Sequence, residues 1–274
     1  MDLRSSEMTE INKPNYTLFG FAWCGSPDTF NNMLLDLADI AEPEVWSFSS
    51  DSEISILKKY IFKTFERCNM ENKILHSKEG CYCCINTGLL TPKGKDIIML
   101  FSENDIPAQT KWKLEGFWTI QDRDYIETFD GIPELASYTD NVEDYFFNPE
   151  YDIEVNYDHI IDDNWDRIKD VIKLPKESAE LILIGALEKS KLKAKRNMRL
   201  VIPQYYNEKI GFLLPIEIPP IVEGRKSEYL VLAVERTPFA KYRANTILSV
   251  ENAYEKARLL MKIEDNWLKR GKSK

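Results

Sequence analysis

The chain has 274 residues, 43% of them hydrophobic and 30% charged, with a net charge of −9. That length and apolar content suffice for a full core without help from disulfides, a metal or a partner, and five cysteines, an odd number, argue against an oxidised scaffold. The acidic balance excludes a surface that coats nucleic acid indiscriminately, because phosphate binding is driven by Lys and Arg releasing counterions. The longest apolar run, 181–187, is too short to span a bilayer, and the start lacks an apolar signal core, so a cytoplasmic protein without membrane association is expected.

Residues 1–15 and 269–274 read as flexible ends around a single α+β domain over 16–268, and no internal repeat of solenoid length stands out. Ser26-Pro27-Asp28 is a helix start: Ser caps the free amides, Pro suits the first helical position and Asp complements the dipole. Phe30, Met33, Leu34, Leu37, Ala38 and Ala41 follow at helical spacing until Glu42-Pro43, and a second helix runs from about Ser52. After residue 73, short apolar or alternating runs at 74–76, 81–86, 96–101 and 111–120 predict an antiparallel meander. Residues 121–150 lack periodicity and read as a long surface excursion or lid.

A strand ending near Val155 leads into a helix capped by Asn156 or Asp158, with Ile161, Trp165, Ile168 and Ile172 facing inward and Pro175 beyond its end. The next helix, from about Ser178 to Met198, is apolar in its first half and basic in its second. A second meander follows at 200–206, 209–218, 229–235 and 242–250, and a closing helix from Ser249 buries Ala253, Ala257, Leu260 and Met261. The expected fold is therefore α+β: N-terminal helices, antiparallel strands in two meanders, and amphipathic helices packed on the sheet.

Several constellations carry possible chemistry. His159, one of only two histidines, shares a helix face with Asp163, Asp166 and Asp170, with Asp158 and Asp162 one step around. That face is either solvated exterior or an acidic wall for a divalent cation such as Mg²⁺. Near the helix start, His159 and Asn156 suit anion binding or proton transfer. The segment Asn86-Thr87-Gly88 is either a hairpin turn or a phosphate-cradling loop. Lys189 to Arg199 holds six basic residues and no acid, and with Gln204 and Tyr205 just beyond it reads either as a snorkelling helix end or as a phosphate and base contact. Cys81, Cys83 and Cys84 crowd together, but alternation in a strand sends Cys84 to the opposite face, which suits half-buried thiols better than zinc.

Phe21-Ala-Trp-Cys-Gly-Ser26, Asn86-Thr-Gly-Leu89, Asp152-Ile-Glu-Val-Asn-Tyr-Asp-His-Ile160, Asp163-Asn164 with Arg167, Ile202-Pro-Gln-Tyr-Tyr206, Leu213-Leu-Pro215 and Thr246-Ile-Leu248 with Ala253-Tyr254 and Ala257-Arg258-Leu259 run in order along the chain. Together they resemble the uncharacterised family called domain of unknown function 3825. Its members look like bacterial proteins, alone or fused to LOTUS-type RNA-binding modules, which implies an RNA context and a LOTUS-type or other RNA-handling partner. The family pattern carries over to Asn86, Thr87, Gly88, Asn156, His159, Asn164, Arg167, Gln204 and Tyr205, with no catalytic role attached. The chain departs from it at Ile85, where an aromatic is usual, and at Asn197-Met198-Arg199, where Asn-Tyr-Lys is usual.

The leading expectation is an RNA-associated domain that binds RNA or a nucleotide phosphate in a polar pocket of Asn86, Thr87, Arg167, Arg196, Arg199, Gln204 and Tyr205. If it is an enzyme, which the residues leave open, phosphodiester cleavage or phosphoryl transfer would use His159 as acid/base, with Asn156 and Asn164 beside it. The alternatives are a metal-dependent hydrolase of a small anion, using Asp158, Asp162, Asp163 and Asp166, and a non-enzymatic adaptor.

Overall fold

The structure, a computed structural model, describes residues 16–48, 52–105, 110–120, 127–220 and 226–263. Both expected flexible ends, 1–15 and 269–274, lie outside the described residues. Contacts divide the chain into two compact units, Met1–Ser137 and Tyr138–Lys274. Both are α+β, and among the described residues no helix is long and apolar enough to cross a membrane.

The first unit runs α1 (Leu18–Phe21), β1 (Ala22–Trp23), α2 (Pro27–Ile40), α3 (Ser55–Met70), β2 (Leu75–His76), β3 (Tyr82–Leu90), β4 (Asp96–Glu103) and β5 (Trp112–Thr119). The Ser26 side chain accepts from the Thr29 amide, as the start signal predicts, and α2 buries Phe30, Leu34 and Leu37. The start of α3 has no side-chain cap, which explains why the sequence gives no sharp boundary there.

The second unit runs β6 (Asp152–Glu154), α4 (Tyr157–Ile172), α5 (Lys176–Arg196), β7 (Ile202–Tyr206), β8 (Lys209–Ile218), β9 (Glu228–Arg236), β10 (Lys241–Leu248) and α6 (Val250–Arg258). One face of its sheet, carrying Phe212, Leu214, Ile216, Leu232 and Tyr242, packs on Ile160, Ile161, Ile168 and Ile172 of α4 and Leu183 and Leu187 of α5. Here α6 ends earlier than its apolar spacing suggests, and Met261 is exposed.

Both predicted meanders exist, and each is completed by a parallel edge strand. The sheet orders are β1-β5-β4-β3-β2 and β6-β10-β9-β8-β7, with β1 parallel to β5 and β6 parallel to β10. The two units thus share one plan: strand, two helices, four-stranded meander. The likeness extends to register. Ala22 pairs with Trp112, and Ile153 pairs with Tyr242. Three residues after each aromatic, Glu115 in β5 and Asn245 in β10 are the extra residues of a β-bulge. Each bulge residue bonds the matching position of the neighbouring strand: Ser102 Oγ donates to Glu115, and Asn245 Nδ2 donates to Glu235 at 3.1 Å. No repeat is visible in the sequence, because what is shared is topology and register.

The second helix of each pair is also tied to its sheet in the same way. The last pairings of the edge strands leave Thr87 and Pro215 without an edge-strand partner. Tyr60 Oη of α3 donates to the Thr87 carbonyl at 2.8 Å, and Ser190 Oγ of α5 donates to the Pro215 carbonyl at 2.6 Å. Buried carbonyls need donors, and these side chains supply them where the ladder stops.

The described part of the excursion after β5 is a strap and not the lid expected from its irregular sequence. Phe129 packs with Cys84, Ile98 and Leu100, Lys73 Nζ donates to the Leu135 carbonyl at 2.7 Å, and the Ser137 amide donates to Glu71 at 2.9 Å. Burial pushes the Glu71 carboxyl up, but hydrogen bonds from Lys73, the Ser137 amide and Arg67, together with the Arg67 charge, hold it below its ordinary value. Further along, Phe147 stacks on Tyr242 at 4.6 Å, and Tyr242 Oη accepts from the Asn148 amide at 2.8 Å. The expected residues 121–126 of the excursion lie outside the described residues.

Urea unfolding should show that Tyr60→Phe and Ser190→Ala each cost about 1–3 kcal/mol, since each leaves a buried carbonyl without its donor. A cost under about 0.5 kcal/mol for both would remove the role given to these ties. Because Glu71 is held below its ordinary value, its contribution is present above about pH 4.5 and fades as pH falls through the lower folded-state value. Glu71→Gln should therefore destabilise the protein at pH 7, with the difference from wild type shrinking in acid; a gap that is constant down to pH values where carboxylates are protonated would contradict this.

Candidate functional site

Asn86, Thr87 and Gly88 lie inside β3, and the expected hairpin turn is instead a bulge, with the pairing to β4 shifting between Asn86 and Leu89. Asn86 Nδ2 donates to Asp96 at 3.0 Å and to the Pro133 carbonyl at 3.3 Å, while its Oδ1 accepts from the Gly88 amide at 2.9 Å. Thr87 Oγ1 donates to the Ile97 carbonyl at 2.6 Å and accepts from the Leu89 amide at 3.2 Å. Gly88 has φ +72°, and a Cβ there would stand 2.7 Å from Tyr60 Oη. Both polar side chains are buried and bound within the first unit, where they shape the strand.

On α4, Asn156 caps the helix by accepting from the His159 amide at 3.3 Å. His159 is 64% exposed, and its Nδ1 stands 3.3 Å from Asp163 on the outer face. Asn164, by contrast, is only 4% exposed and takes a position on the apolar side. Its Nδ2 donates to the Ile160 carbonyl at 2.9 Å, and its Oδ1 accepts from Arg167 Nη1 at 2.7 Å and Thr246 Oγ1 at 2.8 Å. Arg167 Nη1 also donates to the Ile247 carbonyl at 3.0 Å. Asn164 and Arg167 therefore lock α4 to β10 just past its bulge. Asn164, expected beside a catalytic His159, and Arg167, expected in a phosphate pocket, join a helix to a strand in the fold.

The acidic wall is a solvated face. Asp162 pairs with Lys176, Asp163 with His159 and Asp166 with Lys169, while Asp158 occupies the first turn. Among the described residues no three His, Cys, Asp or Glu side chains converge to hold a metal ion, so the alternative Mg²⁺ set is not assembled. Side chains spread over two helical turns and paired with lysines do not make an oxygen cage. The cysteine cluster is split as strand alternation requires: Cys81 is exposed, Cys83 and Cys84 are buried on opposite faces, and burial pushes the Cys83 thiol far up, which leaves it unreactive.

At the basic end of α5, Lys189 and Lys193 both reach Glu217, Lys191 pairs with Glu188 and Lys195 lies 3.8 Å from Asp152. Arg196 Nη1 donates to the Leu192 carbonyl at 2.9 Å, and neither Arg196 nor Arg199 has a carboxylate partner among the described residues. Tyr205 packs edge-on against Tyr138 with ring centres 4.6 Å apart. Gln204 is 6% exposed, and its Oε1 has no hydrogen-bond partner among the described residues. Its amide lies over Gly211, the residue it pairs with on β8, where a Cβ would meet the Val234 carbonyl at 2.7 Å.

The family model for the domain of unknown function DUF3825 matches residues 37–267. The chain belongs to this family. No curated protein and no solved structure matches it. Of the family-like positions, Asn86, Thr87, Asn164 and Arg167 are committed to internal hydrogen bonds. Asn156 spends its side-chain oxygen on a helix cap, while His159 stays on the outer face.

The second unit also has a cavity that no motif of the sequence points to. It is a cleft of about 870 Å³ at the hairpin end of the sheet, bordered by Lys209, Glu235, Arg243, Glu208, Arg236 and Phe239 among others. Pairing across the sheet sets Gln204, Gly211, Glu235, Arg243 and Glu154 in one row. The alternation of Lys241 and Arg243 along β10 was the available signal, but only register shows that Glu235 stands opposite Arg243.

Asn164→Ala should cost about 2–3 kcal/mol, because Thr246, Arg167 and the Ile160 carbonyl all lose a partner. His159→Ala should change stability by no more than about 0.5 kcal/mol. Denaturant titrations of the two variants check this; equal effects would overturn the division between a buried lock and an exposed side chain.

Proposed function

We propose that the chain is an RNA- or nucleotide-phosphate-binding protein whose contact surface includes the basic end of α5 and the turn after it. The observation that carries this reading is that Arg196 and Arg199 are exposed and have no carboxylate partner among the described residues. Around them Lys189, Lys191, Lys193 and Lys195 face only Glu188, Glu217 and Asp152, so six cations meet three carboxylates. In a chain of net charge −9, a local excess of positive charge is a specific place for a polyanion and not a general property of the surface. Guanidinium groups suit phosphate oxygens because their donors match in pairs.

Binding without turnover is the form of the reading favoured here. Among the described residues His159 has a single side-chain partner, Asp163, and both stand in solvent. An adaptor that holds RNA for another protein, including one of the LOTUS type, fits the same surface.

Fluorescence anisotropy with labelled single-stranded RNA tests the proposal. Changing Arg196 and Arg199 together to Ala should weaken binding about tenfold or more at low salt and reduce the slope of log affinity against log salt by about 1.4, as expected for two lost phosphate contacts. His159→Ala should leave binding unchanged. Unaltered affinity and slope in the double-arginine variant would refute the assignment.

A further inference from the structure

We infer that the cleft at the hairpin end of the second unit's sheet is a site for a nucleoside phosphate. The cleft volume, about 870 Å³, lies in the range of small-molecule sites. Most of the charges on its walls are already matched: Glu235 with Lys209 at 2.7 Å, Asp144 with Arg236 at 3.7 Å, and Glu154 with Lys241. Arg243 and Glu208 are the lining residues left without an ion-pair partner among the described residues. Arg243 also stands opposite Glu235, whose carboxylate already accepts from Lys209 and Asn245 and is held low first by the Lys209 bond. Lys209 and Arg243 therefore share one carboxylate, and with Glu208 counted the four basic and four acidic lining residues balance, so what the cleft offers an anion is the Arg243 guanidinium, whose donors no carboxylate has taken among the described residues.

The rest of the cleft specifies more than a bare phosphate. Phe239 is 83% exposed at the β9–β10 hairpin, and that hairpin is held by the Thr237 amide and hydroxyl, both donating to the Lys241 carbonyl at 2.8 and 3.1 Å. A ring presented on a fixed turn, at little further entropy cost, is a stacking platform for a base. Glu208, held in the left-handed region with φ +61°, offers a carboxylate to ribose hydroxyls or an exocyclic amine. Arginine, ring and carboxylate together match the phosphate, base and hydrogen-bond donors of one nucleotide. That nucleotide is either free in solution or a unit of an RNA strand.

The inference deepens the phosphate-binding reading but uses different residues, so the two fail separately. Calorimetric titration of the full chain with adenosine 5′-monophosphate should saturate, with adenosine and inorganic phosphate each at least about tenfold weaker. Arg243→Ala should weaken the nucleotide about tenfold or more, Arg243→Lys should weaken it less, and Phe239→Ala should weaken it about fivefold or more. The Arg196 and Arg199 double variant should bind the mononucleotide normally. If a short oligoadenylate binds in an Arg243-dependent way and the mononucleotide does not, the nucleotide comes from RNA; saturable binding of the mononucleotide identifies the free ligand. Neither probe losing affinity in Arg243→Ala and Phe239→Ala would overturn the site, and would leave the α5 surface standing if that surface still responds to its own variant.

Discussion

A buried carbonyl without a donor is the constraint around which both units are arranged. In each sheet the edge strand stops before the strand beside it, and the carbonyl beyond the last pairing cannot be left dry. Tyr60 answers for Thr87, and Ser190 answers for Pro215. Each bond sets where the second helix crosses its sheet. The basic residues of α5 follow from Lys189 onward, and Glu217 of β8 meets two of them, Lys189 and Lys193.

The shared bulge has a parallel role on the opposite side of each sheet. An extra residue re-aims side chains and ends regular pairing, which is why bulges recur near functional clefts. In the first unit the bulge residue is Glu115, bonded to Ser102 and Lys113, and the position is closed upon itself. In the second it is Asn245, which takes one side of Glu235 while Lys209 takes the other, and Arg243 is left over. A single plan used twice thus has a self-satisfied version and an open one. The difference arises from side chains at equivalent register, not from backbone.

The polar positions that look most like a site are mostly structural. Asn86 and Thr87 complete a bulge in the first unit, and Asn164 and Arg167 fasten a helix to a strand in the second. Such networks are fully satisfied and therefore rigid, and they limit where a ligand can gain hydrogen bonds. On the proposed reading, the groups offered to a phosphate are Arg196 and Arg199 at the end of α5 and Arg243 in the cleft. Gln204, in the same register row as Arg243, is a family-like position with a buried side-chain oxygen that has no partner among the described residues.

Local chemistry determined much of this protein from sequence. The cap at Ser26, the cap at Asn156, the apolar faces of α2 and α4, the strands of both meanders and the basic end of α5 all follow from spacing and residue type, because helix caps and amphipathic periods are decided within a few residues. Tertiary structure alone decided the rest. The parallel strands β1 and β6, only two and three residues long, carry too short a pattern to read. The twofold use of one topology left no repeat in the residues, since packing constrains register and burial more tightly than identity. Whether a polar side chain was a lock or a site depended on partners more than forty residues away, as with Asn86 and Pro133 or Asn164 and Thr246. Hydrogen-bond partners at that separation are set by the fold, and spacing along the chain does not encode them.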